Sequence, residues 1–340
     1  MNRQFRIAAI AALLMGLPGA AGAQHFAKYA GDFMSVGAGA RALGMGGAYV
    51  AVADGSIASY WNPAGLMQLQ YPEIHLMHAE RFAGVVKYNF ATAAWPRSRN
   101  GTFGFGLMRL GVDDIPITVL KNPELPVGAV FEDENGQPVR NVPIVVKTVN
   151  DVEYVGYLSY ARPWRSGAWI GGNVKVVRKA VGDHSAWGIG FDLAVLTPLY
   201  RRVRFGMTVQ DVTTTMIVWD TGNKELVSPN FKWGLALPLQ WSRLDLVAAV
   251  DFDTRFENRR FSSQFNIGPV SFDSHFGLEM VYRKVAYLRF GADIGRLTAG
   301  AGIQLPKLRF DAAFLSHRDL GDTYRISATL SLEEEKFRRK

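Results

Sequence analysis

The sequence predicts an all-β fold: a transmembrane antiparallel β-barrel of about 14 strands. Two patterns predict it. From Ala168 to Leu332, apolar residues alternate with small or polar ones in stretches of about ten, and a period of two sends successive side chains to opposite faces of a strand. The clearest stretch sets Phe231, Trp233, Leu235, Leu237, Leu239 and Trp241 against Lys232, Gly234, Ala236, Pro238 and Gln240. Stretches of this length, apolar on one side and ended by aromatics, suit tilted strands crossing a bilayer. The second pattern is the spacing of the joints, in which short and long connections fall at opposite ends of the strands.

Composition agrees with a sheet protein. Glycine is abundant at 35 residues and aromatics reach 12%, whereas charged residues are only 20%. The net charge of +8 would suit nucleic acid, but lysines and arginines are dispersed singly apart from Arg201-Arg202 and Arg338-Arg339-Lys340. No basic stripe is present, so nucleic acid is not an expected partner. The absence of cysteine excludes a disulfide framework, a thiolate metal site and a lipoprotein cysteine.

In chain order, residues 1–23 read as a cleaved signal peptide. Arg3 and Arg6 precede the apolar stretch Ile7–Leu17, and Ala21-Gly22-Ala23 places cleavage before Gln24. The apolar stretch is about half of the ~20 residues that span a bilayer. No later segment is apolar enough for a spanning helix. The expected location is therefore outside the inner membrane, as a barrel in a bacterial outer membrane.

Within residues 24–72, which precede the wall, 31–66 do not alternate in the same way. Glycines 37, 39, 44, 46 and 47 permit tight turns and close backbone approach. Asp54 is placed to cap a short helix through Tyr60, and Pro63 would end it by biasing Asn62 away from helical geometry. Small residues with few large apolar ones suit a segment packed inside another structure.

The wall occupies residues 73–332. Its early strands are 73–80, 83–95 and 101–112, followed by 153–163, 168–180, 186–197 and 202–213. The rest are 231–241, 243–254, 272–283, 285–295, 296–305, 307–317 and 323–332. Joints after even-numbered strands are all short, whereas the long ones, Asp113–Val152, Thr214–Asn230 and Arg255–Ser271, follow odd-numbered strands. Outer-membrane barrels have short periplasmic turns and long external loops, so both ends of the wall are expected on the periplasmic side. Within the first long loop, Val142–Val149 is itself strand-like. A secreted sandwich or propeller would also alternate, but with its apolar face inward. Strand length, aromatics at both strand ends and lone charges on the polar face favour the barrel. Residues 333–340 form a charged tail beyond Leu332, where barrels of this kind commonly end on an aromatic; Tyr324 or Phe337 is then the candidate assembly signal.

No catalytic constellation emerges. His75 and His78 lie on opposite faces of one strand, so they cannot share a metal. His275 and Glu279 share a face, but no nucleophile motif accompanies them. Gly44–Gly47 lacks the Lys-Ser/Thr of a phosphate loop. The expectation is a non-enzyme with no metal and no cofactor.

One block is more specific. The run Gly39-Ala40-Arg41-Ala42-Leu43-Gly44-Met45-Gly46-Gly47-Ala48-Tyr49-Val50-Ala51-Val52-Ala53-Asp54, followed by Tyr60-Trp61-Asn62-Pro63-Ala64-Gly65-Leu66, resembles the N-terminal signature of the PorV/PorQ family. That family is similar to FadL-type transporters of long-chain fatty acids, which carry a similar Asn-Pro-Ala element. The resemblance implies that residues 24–72 fold into the lumen as a plug or hatch, with Asn62, Pro63, Ala64 and Gly65 as its structural motif.

Two functions are then expected to compete. A hatch-plugged barrel would bind lipophilic small molecules and pass them inward passively, with Met45, Tyr49, Tyr60 and Trp61 lining an apolar niche. Alternatively, as a PorV-like partner or scaffold in type IX secretion, it would receive secreted proteins, with the Asp113–Val152 loop as contact surface. In both cases outer-membrane lipid surrounds the wall.

Overall fold

The computed structural model describes residues 30–98, 100–256, 259, 263–316 and 321–339. The expected signal peptide, His25 and His317 lie outside the described residues.

The strands in chain order are β1 (Glu73–Arg81), β2 (Val86–Ser98), β3 (Gly101–Leu120), β4 (Val130–Glu132), β5 (Pro138–Arg140), β6 (Pro143–Pro163) and β7 (Trp169–Val181). Next come β8 (His184–Tyr200), β9 (Val203–Gln210), β10 (Thr215–Trp219), β11 (Lys224–Val227), β12 (Asn230–Trp241) and β13 (Leu244–Arg255). The last are β14 (Phe265–Ile267), β15 (Val270–Tyr282), β16 (Ala286–Asp293), β17 (Arg296–Gln304), β18 (Leu308–Leu315) and β19 (Thr323–Ser331). All but β4 and β5 form one sheet of 17 strands. β1 pairs with both β2 and β19, so the sheet closes on itself. Every pairing is antiparallel, and without the extensions β10, β11 and β14 the wall is a closed barrel of 14 strands.

Period-two alternation sorts the two faces as expected. Along β8, Trp187, Ile189, Phe191 and Leu193 are exposed, whereas Ala186, Asp192, Ala194 and Leu196 are buried. Phe103, Phe105 and Leu107 of β3 and Phe276, Leu278 and Tyr282 of β15 continue this outer belt. At the short-turn end Trp95, Trp164, Tyr200 and Trp241 are exposed, and Trp187 and Tyr324 are exposed at the other end. An apolar band flanked by aromatics is the surface a barrel presents to lipid.

The three long joints carry strand rather than loop alone. β3 and β6 stay paired out to Leu120 and Pro143, with register shifts near Val112/Ile115. Asp114 takes a left-handed φ of 59° at the first shift. β-branched Ile117, Val119, Ile144 and Val145 continue the ladder past the wall, because strand pairing does not require lipid. The tip carries the small β4–β5 hairpin. The second joint becomes the β10–β11 hairpin, and β14 covers the end of β15 that β16 leaves free.

Candidate functional site

Residues 30–69 form a compact coil with a helix at Ala40–Gly44, another at Ala58–Trp61 and a 3-10 turn at Pro63–Gln68. Gly39 enters the first helix at φ 85°, a conformation other residues rarely adopt. The second helix starts later than the sequence suggests and has no side-chain cap. Asp54 does not cap it but accepts from Arg41 Nη1 at 2.6 Å, because a charge-assisted bond outcompetes a neutral cap. The helix does end before Pro63, with Asn62 extended at φ −158°.

Asn62 joins three stretches of backbone. Its Oδ1 accepts from Ala64 N at 3.1 Å, and its Nδ2 donates to the carbonyls of Val50 (2.9 Å) and of Val195 in the wall (3.1 Å). Pro63 occupies the first turn position, where no N–H is needed. Ala64 is fully buried. A Cβ at Gly65 would overlap the Ala53 carbonyl oxygen.

The wall's glycines make room for this coil. A Cβ on Gly171 would lie 2.5 Å from Ala64 N, and one on Gly277 2.5 Å from Met45 O. Side chains at Gly206 and Gly291 would overlap Val50 O and Gly46 N. The small-residue face of the alternation is therefore a seat for backbone, not only a surface for water.

Beside β12–β19 the coil is held by charge. Arg41 Nε and Nη2 donate to the two oxygens of Glu279, each at 2.7 Å, and Nη1 donates to Tyr49 Oη at 2.9 Å. Arg289 Nε also donates to Glu279 (2.6 Å), and its Nη1 donates to Asp311 (2.8 Å), which accepts from Arg309 Nε (3.0 Å). Asp251 Oδ2 accepts the backbone N–H groups of Tyr49 (2.5 Å) and Val50 (2.6 Å). Buried charges persist only when paired and hydrogen-bonded in this way. His275 and Glu279 do share a face, but His275 Nδ1 lies 3.0 Å from Gly46 O and Glu279 is committed to arginines.

Beside β1–β3 and β6–β9 the contacts are mostly apolar. Tyr60 packs edge-on against Trp61, Phe90 and Tyr157 at centroid distances of 5.2, 5.7 and 6.2 Å. Its hydroxyl donates to Met34 O (2.7 Å) and accepts from Gly37 N (2.8 Å). Trp61 Nε1 donates to Ala38 O at 2.8 Å. Two charged clusters lie in this region: Lys175 sits 2.8 Å from Asp192 and 2.5 Å from Asp211, and Lys179 sits 3.4 Å from both Glu153 and Glu225.

Met45, Tyr49, Tyr60 and Trp61 are all buried, and they pack among protein atoms. None lines the internal cavity near Lys175, a space of about 30 Å³ between Gly31–Ser35 and the interruption separating β9 from β10. That space holds about one water, whereas an apolar cavity of about 150 Å³ is needed for benzene. That cavity is too small for an aromatic ring.

The ionic contacts were not evident from the sequence because they join distant residues. Arg41 and Glu279 are 238 positions apart. The available signal was the charges at Asp251, Glu279, Arg289 and Asp311 on the polar faces of their strands. Among the described residues no group of three or more His, Asp or Glu side chains is arranged to hold a metal.

No family model and no curated protein matches this chain. Solved structures do. The Pseudomonas putida toluene transporter TodX is 12% identical, covers 88% of this chain and 99% of its own, and superposes with a TM-score of 0.56. The Ralstonia pickettii toluene transporter TbuX is 14% identical, covering 86% and 97%, at a TM-score of 0.54. A Pseudomonas aeruginosa FadL homologue is 10% identical, covering 86% and 98%, at 0.51. At these identities the likeness speaks for the fold, and the chain has the fold of a FadL-type barrel.

Proposed function

We propose that this protein is an outer-membrane barrel that binds hydrophobic small molecules and conducts them passively, with residues 30–69 as a hatch. The observation that carries this reading is the union of a FadL-type wall with a coil bound to that wall through backbone contacts and buried ion pairs. TodX and TbuX are toluene transporters, so a small apolar hydrocarbon is the proposed cargo class. The cavity beside Lys175 is smaller than such a cargo, so in the proposal part of residues 30–69 moves during conduction. In the proposal Asn62, Pro63, Ala64 and Gly65 hold the hatch in shape. Met45, Tyr49, Tyr60 and Trp61 line the niche that opens when it shifts.

A disulfide lock tests the hatch. The chain has no cysteine, and a Cβ on Gly104 would lie 2.6 Å from Ser59 Oγ, within reach of a bridge. In proteoliposomes, the oxidised Ser59→Cys/Gly104→Cys protein is expected to lose uptake of radiolabelled toluene, and reductant restores it. Uptake by wild type no faster than by empty liposomes would remove the transport reading. Uptake indifferent to the lock would remove opening of this part of the hatch.

A second reading has its own support. The β3–β6 hairpin continues past the wall and exposes Val127, Val130, Val145 and Val146. That surface suits the secretion-partner role implied by the PorV/PorQ resemblance. Co-purification of a secreted protein, lost when residues 121–142 are replaced by a short turn, is the expected result on that reading.

A further inference from the structure

The outer face of the wall carries a second concavity, at the end where the long hairpins project. It has a volume of about 810 Å³, within the range of about 300–1,000 Å³ typical of ligand sites. Its apolar floor includes Leu107, Gly156 and Val176, and Tyr154 and Trp187 form its aromatic edge. These residues alternate with the inward-facing Val155, Tyr157 and Val177, so the groove opens toward lipid and not into the lumen.

Its charges are unusual for a lipid-facing surface. Arg178 lines the groove with its guanidinium 5.2 Å from the Trp187 ring centroid, and among the described residues it has no carboxylate partner. Lys147 lines the groove too and meets Asp183 at 2.5 Å. On the neighbouring strands Lys87 and Arg109 share a single carboxylate, Asp113, at 3.4 and 2.8 Å. Within the groove itself two cations, Arg178 and Lys147, face one carboxylate, Asp183. An arginine at a membrane boundary with no protein anion is stabilised by an anionic lipid head.

We propose that this groove binds a phosphorylated, acylated sugar of the outer leaflet, a lipid A-type glycolipid. Arg178 takes a phosphate, with Lys147 beside it. Tyr154 and Trp187 offer flat faces to the sugar rings. An acyl chain lies along the Gly156–Val176 floor, where the missing side chain at Gly156 leaves depth. The site is independent of the hatch and of any cargo.

The test is native mass spectrometry of the purified full-length protein with added lipid A. Wild type is expected to retain diphosphoryl lipid A over both its dephosphorylated form and phosphatidylglycerol. Arg178→Gln is expected to bind lipid A roughly tenfold less, the effect of one lost charge-assisted contact. Arg201→Gln, at the opposite end of the wall, is expected to bind as wild type does. Equal retention of all three lipids by wild type overturns the proposal, and that arm needs no variant. An Arg178→Gln protein that migrates as a folded barrel yet binds lipid A undiminished overturns it as well.

Discussion

The two sides of the interior hold the same coil by different physics. Toward β12–β19 the seat is ionic, with Glu279 receiving both Arg41 and Arg289 while Asp251 receives two backbone N–H groups. Toward β1–β3 and β6–β9 the coil rests on aromatic edges and on backbone bonds through Asn62, with a single wall carboxylate, Glu73, accepting from Ser56 N and Oγ. Apolar packing loses stability gradually as surfaces separate, because its contacts are many and individually small. Buried charge pairs are either made or broken, and a broken one leaves an uncompensated charge. The ionic side is thus the sharper clasp and the aromatic side the broader bearing.

The largest expected effect comes from breaking the clasp. Glu279→Ala removes the shared acceptor of two arginines and is expected to destabilise the folded barrel by about 3 kcal/mol, read from denaturant midpoints in detergent. A loss below that of Asn62→Ala would invert the comparison. Gly206→Val drives a side chain into the Val50 carbonyl and is expected to cost about 1–3 kcal/mol. Protease sensitivity should then rise within residues 45–55 while the wall stays folded; a resistant coil would show that this seat is not tight. Asn62→Ala removes one turn cap and two donated bonds, for an expected loss of about 1–2 kcal/mol. The smallest effect lies outside both sides, in the turn after β10. Asp220 accepts from Ser185 N at 2.8 Å, and this bond, reinforced by His184, holds its carboxyl below the usual carboxylate range. Its contribution is present above the unfolded value of about 3.9 and is lost as pH falls through the lower folded value. Faster exchange of the Ser185 amide on acidification, beyond the intrinsic pH trend, is the expected readout.

Strand number, facing and the placement of long joints were legible because they depend on local period and on turn length. Trp187, Ile189, Phe191 and Leu193, and Phe276, Leu278 and Tyr282, face outward for the reason their spacing gives. The extensions of β3 and β6 were harder to read. Past Val112 the outside of the wall meets water on both faces, so burial no longer enforces alternation. Asp54 shows why the interior was less legible still. Its local context suits a helix cap, yet Arg41, 13 residues away, claims it. The contents of the seat depend on which distant residues the closed ring brings together, and a linear pattern does not encode that meeting.

Closure itself sets an order of events. The ring's seam joins β1 to β19, with Glu73 opposite Ser331, and it lies immediately after the coil's last residues. Leu332 N donates to Pro72 O at 2.9 Å, so the seam also pins the point where coil becomes wall. A ring that closed around an empty centre would enclose Asp251, Glu279 and bare glycine backbone without the Arg41 and backbone N–H donors that residues 30–69 bring. Assembly therefore favours chains whose first segment is already seated when the last strand arrives, which makes the coil a template for the barrel as well as its filling.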